Sequence, residues 1–208
     1  MRILKHIGQA LYPFGTFRTG KAVYLTFDDG PIPEVTPKVL AILAQYDVKA
    51  TFFMVGENID KHPEVYEQVV RAGHSVANHT YNHLKGWNTD FDEYMSNVAQ
   101  CQKALINHHP SFIIPSLFRP PYGKATLRQR IALRREGYRI IFWDILTRDY
   151  NASVTPEAML HKIQRETRPG SIINFHDSLK SNERMLEVLP QAIQWLQAQG
   201  YVLSTLNG

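Results

Sequence analysis

Apolar residues in this chain gather into short runs at 22–27, 50–55, 74–77, 117–119, 138–143, 171–175 and 201–206. Several of these runs are continuous rather than alternating, which marks strands covered on both faces, as in parallel sheets. Between the runs, apolar positions recur every three or four residues, the spacing of a helix face. Val39, Ile42, Leu43 and Tyr46 form one such stripe, and Val65, Val69 and Ala72 another. Tyr94, Val98, Cys101 and Leu105 form a third, and Leu127 with Ile131, after Gly123, suggests a fourth. Met159 and Ile163 lie in a fifth, where Thr155 before Pro156 reads as cap and first turn. Leu186, Leu189, Ile193 and Leu196 make the last, ended by Gly200. Pro190 inside that stripe predicts a kink or an early break.

Strand and helix alternate about seven times, which predicts βα units on a parallel sheet. No repeat or low-complexity stretch divides the chain, so residues 1–208 read as one domain with a lead segment at 1–20. Chemistry-bearing residues follow the strand runs. Asp28 and Asp29 follow the first, His79 and His83 the third, Arg119 the fourth, Asp149 the fifth and His176 the sixth. In a closed βα barrel all strand C-terminal ends meet on one rim, whereas an open sheet gathers such groups only at a switch-point crevice. Five contributing strands favour the barrel. An eightfold barrel typically takes about 250 residues. The shorter chain therefore predicts an α/β fold built as a distorted, shortened (β/α) barrel with about seven parallel strands.

Composition narrows the function classes. The chain has 208 residues, 44% apolar and 20% charged, which is ordinary for a globular domain with a substantial core. Its net charge of +4, from 23 basic and 19 acidic residues, is too small an excess to argue for nucleic acid. Arg128, Arg130, Arg134, Arg135 and Arg139 cluster locally and read as the solvated face of an outer helix, or as a patch for an anionic polymer or surface. The single cysteine, Cys101, excludes an internal disulfide and reads as a core thiol. No apolar run approaches the ~20 residues of a membrane span. The stretch 1–21 is interrupted by Pro13 and Gly15 and has no apolar run of signal length. The expected location is cytoplasmic, with the cell envelope as the alternative.

Two of the strand-end motifs carry candidate metal chemistry. His79 and His83, four apart, put both imidazoles on one side of a helical turn or tight loop. The bland alternative is a pair of surface histidines. A carboxylate after the first strand is placed to complete a two-histidine, one-carboxylate set, the donor type of a catalytic zinc site with an open position. The same set suits iron, cobalt or nickel. The adjacent Asp28 and Asp29 diverge along an extended backbone, so one can ligate while the other faces a metal-held water. Asp28-Asp29-Gly30-Pro31 is also good turn chemistry.

Five segments then resemble, in order, the motifs of the polysaccharide deacetylases, carbohydrate esterase family four. They are Thr26–Pro31, His79–His83, Arg119–Gly123, Trp143–Tyr150 and Phe175-His176. Thr51-Phe52-Phe53 and Gly200-Tyr201 are also similar, and the resemblance runs from about Val23 to Leu206. It implies a distorted βα barrel of seven or eight strands. It implies Asp28 as general base and Asp29, His79 and His83 as ligands of a divalent metal, zinc before cobalt, nickel or iron. Arg119 would tether the base, and the Tyr122 N–H would stabilise the oxyanion. Asp149 would orient and tune His176, which would protonate the departing amine. Trp87, Tyr122 and Tyr150 could stack on sugar rings.

Two positions depart from that pattern. Tyr150 stands where the family usually has tryptophan. Asn174 stands where an apolar residue normally lines the acetyl pocket. Either its side chain turns elsewhere, or the pocket is more polar and the acyl group differs. The expected function is metal-dependent removal of N-acetyl groups from the amino sugars of an acetylated glycan. Removal of O-acetyl or formyl groups from another glycan or lipid-linked sugar is the close rival. A non-catalytic glycan-binding module is the distant one.

Overall fold

The computed structural model describes residues 20–108 and 116–206. Residues 1–19 of the expected lead segment lie outside the described residues. Among the described residues there are eight parallel strands: β1 (Ala22–Asp28), β2 (Thr51–Met54), β3 (Ser75–Asn78), β4 (Leu117–Phe118), β5 (Arg139–Ile140), β6 (Ile145–Leu146), β7 (Ile172–His176) and β8 (Val202–Ser204). The helices are α1 (Thr36–Gln45), α2 (Gly56–Lys61), α3 (Pro63–Arg71), α4 (Phe91–His108), α5 (Leu127–Arg135), α6 (Pro156–Glu166) and α7 (Asn182–Ala198). The strand order is β5-β4-β3-β2-β1-β7-β6, with β8 also on β1. β1 pairs with β8 through Ala22–Tyr24 and with β2 through Thr26–Asp28, so the two share one edge of β1 in succession. This is the expected distorted βα barrel.

The expected strand at 138–143 is split, and the reason is local. Ile141 N–H donates to Phe118 O on β4, whereas Asp144 N–H donates to Ile172 O on β7. Between them, the carbonyls of Ile141 and Phe142 accept from the Arg119 side chain. One stretch therefore supplies both end strands of the sheet, β5 against β4 and β6 against β7, and its ladder is interrupted in the middle.

Strand parity decides where the core and the site lie. Alternate residues of a strand face opposite sides. Val23, Leu25 and Phe27 of β1, Phe52 and Met54 of β2, and Ile173 and Phe175 of β7 belong to the core shared with the helices. That core takes Val39 and Leu43 of α1, Cys101 of α4, Ile163 of α6 and Leu189 of α7. The Phe27 ring stacks on Phe52 at 4.9 Å and on Phe175 at 5.8 Å. Truncating such a ring to alanine typically costs about 3–5 kcal/mol. The other parity faces the barrel interior. There Tyr24, Phe53, Ala77, Leu117, Ile172 and Leu206 form a second, smaller core. Continuing the same parity, the interior becomes polar: Thr26 and Asp28 on β1, Asn174 and His176 on β7.

Two further expectations on the helices change. The Leu127/Ile131 stripe of α5 faces solvent, and Gln129 and Leu133 are the buried residues. Gln129 is inside because its amide donates to Gly86 O and, through Oε1, accepts from Thr126 N–H in a capping box. Pro190 does not end α7, which runs unbroken from Asn182 to Ala198. Buried Met185, Val188 and Leu189 before it and Ala192, Ile193 and Leu196 beyond it hold the helix together by packing. No helix among the described residues is long and apolar enough to cross a membrane.

Candidate active site

The loops after β1, β3, β4 and β6 carry an uncommon backbone. Of the six non-glycine residues with positive φ among those described, five lie there: Asp29, Thr80, His83, Tyr122 and Arg148. A left-handed non-glycine residue costs on the order of 1–3 kcal/mol and persists only where its surroundings fix it. At Asp29, with φ of 87°, the fixing partners are visible. Its carbonyl accepts from Asn58 Nδ2 at 2.8 Å, and Gly30 N–H donates to Asp177 Oδ1 at 3.1 Å. Gly30 must be glycine here, because a Cβ would lie 2.0 Å from Asp177 Oδ2. Asp177 is fully buried and also accepts from Thr36 Oγ1 at 2.6 Å. Burial, ahead of the nearby Asp29 charge, pushes its carboxyl up to about 8.

That turn aims Asp29 at the histidine loop. His83 Nε2 lies 3.2 Å and His79 Nε2 3.8 Å from Asp29 Oδ1. The candidate ligand atoms of the three residues lie within 4.8 Å of one another. His79 is fully buried, and burial lowers its pKa to about 4, so it is neutral at neutral pH. Its Nδ1 is 2.7 Å from the Arg119 carbonyl, an acceptor only, so Nδ1 carries the hydrogen. The Nε2 lone pair is thereby turned to Asp29, as a metal-ligating histidine requires. Burial raises the Asp29 carboxyl, but the neighbouring His83 and the charge of His176 outweigh it and hold it well below the usual carboxylate range. Oδ1 is covered, yet it accepts no hydrogen bond. An ionised, covered oxygen without a donor is costly unless a cation meets it. These three residues therefore fit a divalent metal, and two imidazoles with one carboxylate suit zinc, cobalt, nickel or iron.

Beside this set stands Asp28. Its Oδ1 accepts from Arg119 Nη1 at 2.6 Å, and its Oδ2 from Asn174 Nδ2 at 2.9 Å. Arg119 is fully buried, stacked 4.0 Å over the Phe53 ring and 5.7 Å from that of Trp143. On the far side of β1, His176 Nδ1 is 2.7 Å from Asp149 Oδ1, and its backbone N–H donates to Asp149 Oδ2. Burial lowers the His176 pKa, but the hydrogen bond and charge of Asp149, with Asp28 and Asp29, win and raise it to about 9. Asp149 itself is fully buried and sits after β6 rather than after a single fifth strand. His176 is thus held protonated on β7, beside Asp28 on β1.

The remaining expected residues sit on the rim. The exposed Tyr122 ring packs edge-on to His83 at 4.7 Å, and the exposed Tyr150 ring edge-on to His176 at 4.9 Å. Trp87 is 58% exposed, with Lys124 Nζ 4.0 Å from its ring centre. Asn174 is elsewhere. It is fully buried beneath Asp28, bonded to Asp28, Arg119 and Thr26, so its side chain turns away from any acyl pocket. Sequence reasoning gave no role to Thr26, Thr36, Phe53 or Asp177. Strand parity was the available signal for Thr26, two residues before Asp28, and adjacency to His176 for Asp177.

The polysaccharide deacetylase family profile matches residues 17–141. The chain belongs to the polysaccharide deacetylase family. It is 32% identical to a peptidoglycan-N-acetylglucosamine deacetylase of Bacillus cereus over 88% of this chain, spanning 66% of that relative's length. It is equally, at 32%, identical to a chitooligosaccharide deacetylase of Azorhizobium caulinodans, over 89% of this chain and 92% of the relative. The crystal structure of the Bc1960 peptidoglycan N-acetylglucosamine deacetylase superposes with a TM-score of 0.85 at 31% identity, covering 90% of this chain and 87% of that one.

Proposed function

We propose that this protein is a metal-dependent hydrolase that removes N-acetyl groups from N-acetylated amino sugars of a polysaccharide or oligosaccharide. The observation that supports it most is the coexistence of opposite protonation states. A protonated His176, held by Asp149, is the register partner of Asp28, whose carboxylate pairs with the Arg119 guanidinium beside the Asp29, His79 and His83 set. Amide hydrolysis needs that division, because one group must take a proton from water and another must give one to the departing nitrogen.

Asp29, His79 and His83 would hold the metal, zinc first among the divalent ions that suit them. Bound there, the cation would supply Lewis-acid polarisation of the acetyl carbonyl and lower the pKa of water. Asp28 removes a proton from the attacking water, oriented by the Arg119 guanidinium. The new C–O bond forms as the carbonyl electrons move to oxygen, where the Tyr122 N–H is assigned to stabilise the charge. His176 then donates its Nε2 proton to the sugar nitrogen. The C–N bond breaks, and acetate and a free amine leave. Asp149, acting through Nδ1, keeps that imidazole charged and oriented. Tyr150 and Trp87 offer exposed ring faces for a glycan, and the substrates that the relatives' names carry point to N-acetylglucosamine in peptidoglycan or chitin oligomers.

The test is metal analysis combined with acetate and formate release from defined N-acetylated, O-acetylated and N-formylated sugars. Acetate from N-acetylglucosamine oligomers is expected. Formate or O-acetyl release alone would move the reading to the other acyl group. A metal-loaded protein that turns over none of them would overturn the enzyme reading.

A further inference from the structure

We infer that Asn174 is a positioning residue for the base carboxylate, so that Asp28 is held at both oxygens, by Arg119 at one and by the Asn174 amide at the other. The inference rests on the deacetylase reading for its kinetic readout and on geometry for its content. Arg119 Nη1 has two hydrogens and three neighbours: Asp28 Oδ1 at 2.6 Å, Asn174 Oδ1 at 2.5 Å and Thr26 Oγ1 at 2.9 Å. The two shortest contacts account for both hydrogens. Thr26 Oγ1 lies 2.9 Å from Asn174 Oδ1 and 3.1 Å from Ile173 O, so its one hydrogen also has acceptors at hand. These donors fix the amide orientation, because only Oδ1 can accept from a guanidinium. Nδ2 is then left facing Asp28 Oδ2, 2.9 Å away.

The amide is chemically specific at this place. It must accept from a cation and donate to an anion within one planar group. Leucine would do neither and would leave buried Asp28 Oδ2 without that donor. An ionised aspartate would accept from Arg119 but would set a second carboxylate against Asp28, in a site where like charges are poorly screened. The strand frame brings Asn174 here, since it is the register partner of Thr26 and lies two residues from His176 on the same inner face. The amide is fully buried, which keeps it from the substrate. Its effect must pass through Asp28.

Asn174→Leu should lower kcat for acetate release by about 10- to 100-fold, the range for losing a hydrogen bond to a charged group, with KM and zinc affinity within about twofold. In an Asp28→Asn background the same change should add little further loss, because the carboxylate it positions is gone. Equal losses in both backgrounds would mean a merely structural role and overturn the proposal. So would a raised KM with unchanged kcat, which would return Asn174 to substrate contact. If Asn174→Leu does not fold, Asn174→Asp keeps the shape and should show the same kcat loss. A crystal structure of either variant gives a readout without turnover: the Asp28 carboxylate should rotate off its present plane. If the wild type releases no acyl group, the deacetylase reading fails, and the Asp28 rotamer alone decides this one. An unmoved carboxylate overturns it.

Discussion

Asp28 and His176 are register partners on the neighbouring parallel strands β1 and β7. Partners in register on adjacent strands lie about 5 Å apart at the backbone with side chains on the same face. The two residues proposed to handle protons are thereby placed by the sheet itself, with no loop involved. Asp28→Asn and His176→Ala should each lower kcat by about 10²- to 10⁴-fold. Bound metal, measured by elemental analysis, should stay stoichiometric in both, because neither belongs to the ligand set. Full activity in either variant would reject its assigned role.

Asp149→Asn should move the alkaline limb of the kcat–pH profile toward lower pH. Burial alone lowers the His176 pKa, and it is the Asp149 hydrogen bond and charge that raise it to about 9. An acid group works only while protonated, so its activity is lost as pH rises through its pKa. An alkaline limb that stays in place in this variant would assign it to another group.

Chelation should abolish turnover and lower the melting temperature. The three candidate ligands sit on two loops whose left-handed residues, Asp29 and His83, a bound cation would help to hold. Zinc, cobalt or nickel added back should restore both signals in the wild type and neither in His83→Ala. Turnover that survives complete metal removal would reject metal dependence.

Stability should fall on mild acidification because of His74, away from the site. His74 is buried and its Nδ1 accepts from Ala50 N–H at 3.2 Å. Burial, with a contribution from Lys49, lowers its pKa from 6.5 to about 4. The unfolded chain therefore binds a proton at higher pH than the folded one. The stability it contributes is present above pH 6.5 and is lost as pH falls toward 4. The full loss is roughly 3 kcal/mol. Denaturant midpoints at pH 7, 6 and 5 should show it, and His74→Gln should flatten that part of the slope.

Gly30→Ala should destabilise the fold by roughly 1–3 kcal/mol, the usual range for forcing a methyl into a packed site. The added carbon would meet Asp177 Oδ2, which is itself held by Thr36. A melting temperature equal to wild type would show that Asp177 yields without cost.

Much of this was legible in the sequence because the chemistry follows strand ends. Continuous apolar runs located β1, β2, β3 and β7, and the residues just past them are those proposed as ligand and proton-transfer groups. What stayed hidden depends on long-range pairing. The split between β5 and β6 follows from where Arg119 sends its hydrogens, which no local pattern records. Helix periodicity found α5 through Leu127 and Ile131, but that stripe is exposed, and the buried side carries the Gln129 amide with its three contacts. Asn174 departed from the expected apolar lining, and the departure acquired a meaning only when Asp28 was found at its amide.

The interrupted strand between β5 and β6 has a mechanical corollary. Where the backbone ladder lapses, the carbonyls of Ile141 and Phe142 are gripped by the same guanidinium that grips Asp28. One side chain is both a keystone in the wall and a fixture for Asp28. Loosening the wall would misaim that carboxylate, and refitting the carboxylate would unseat the wall, so neither can drift alone.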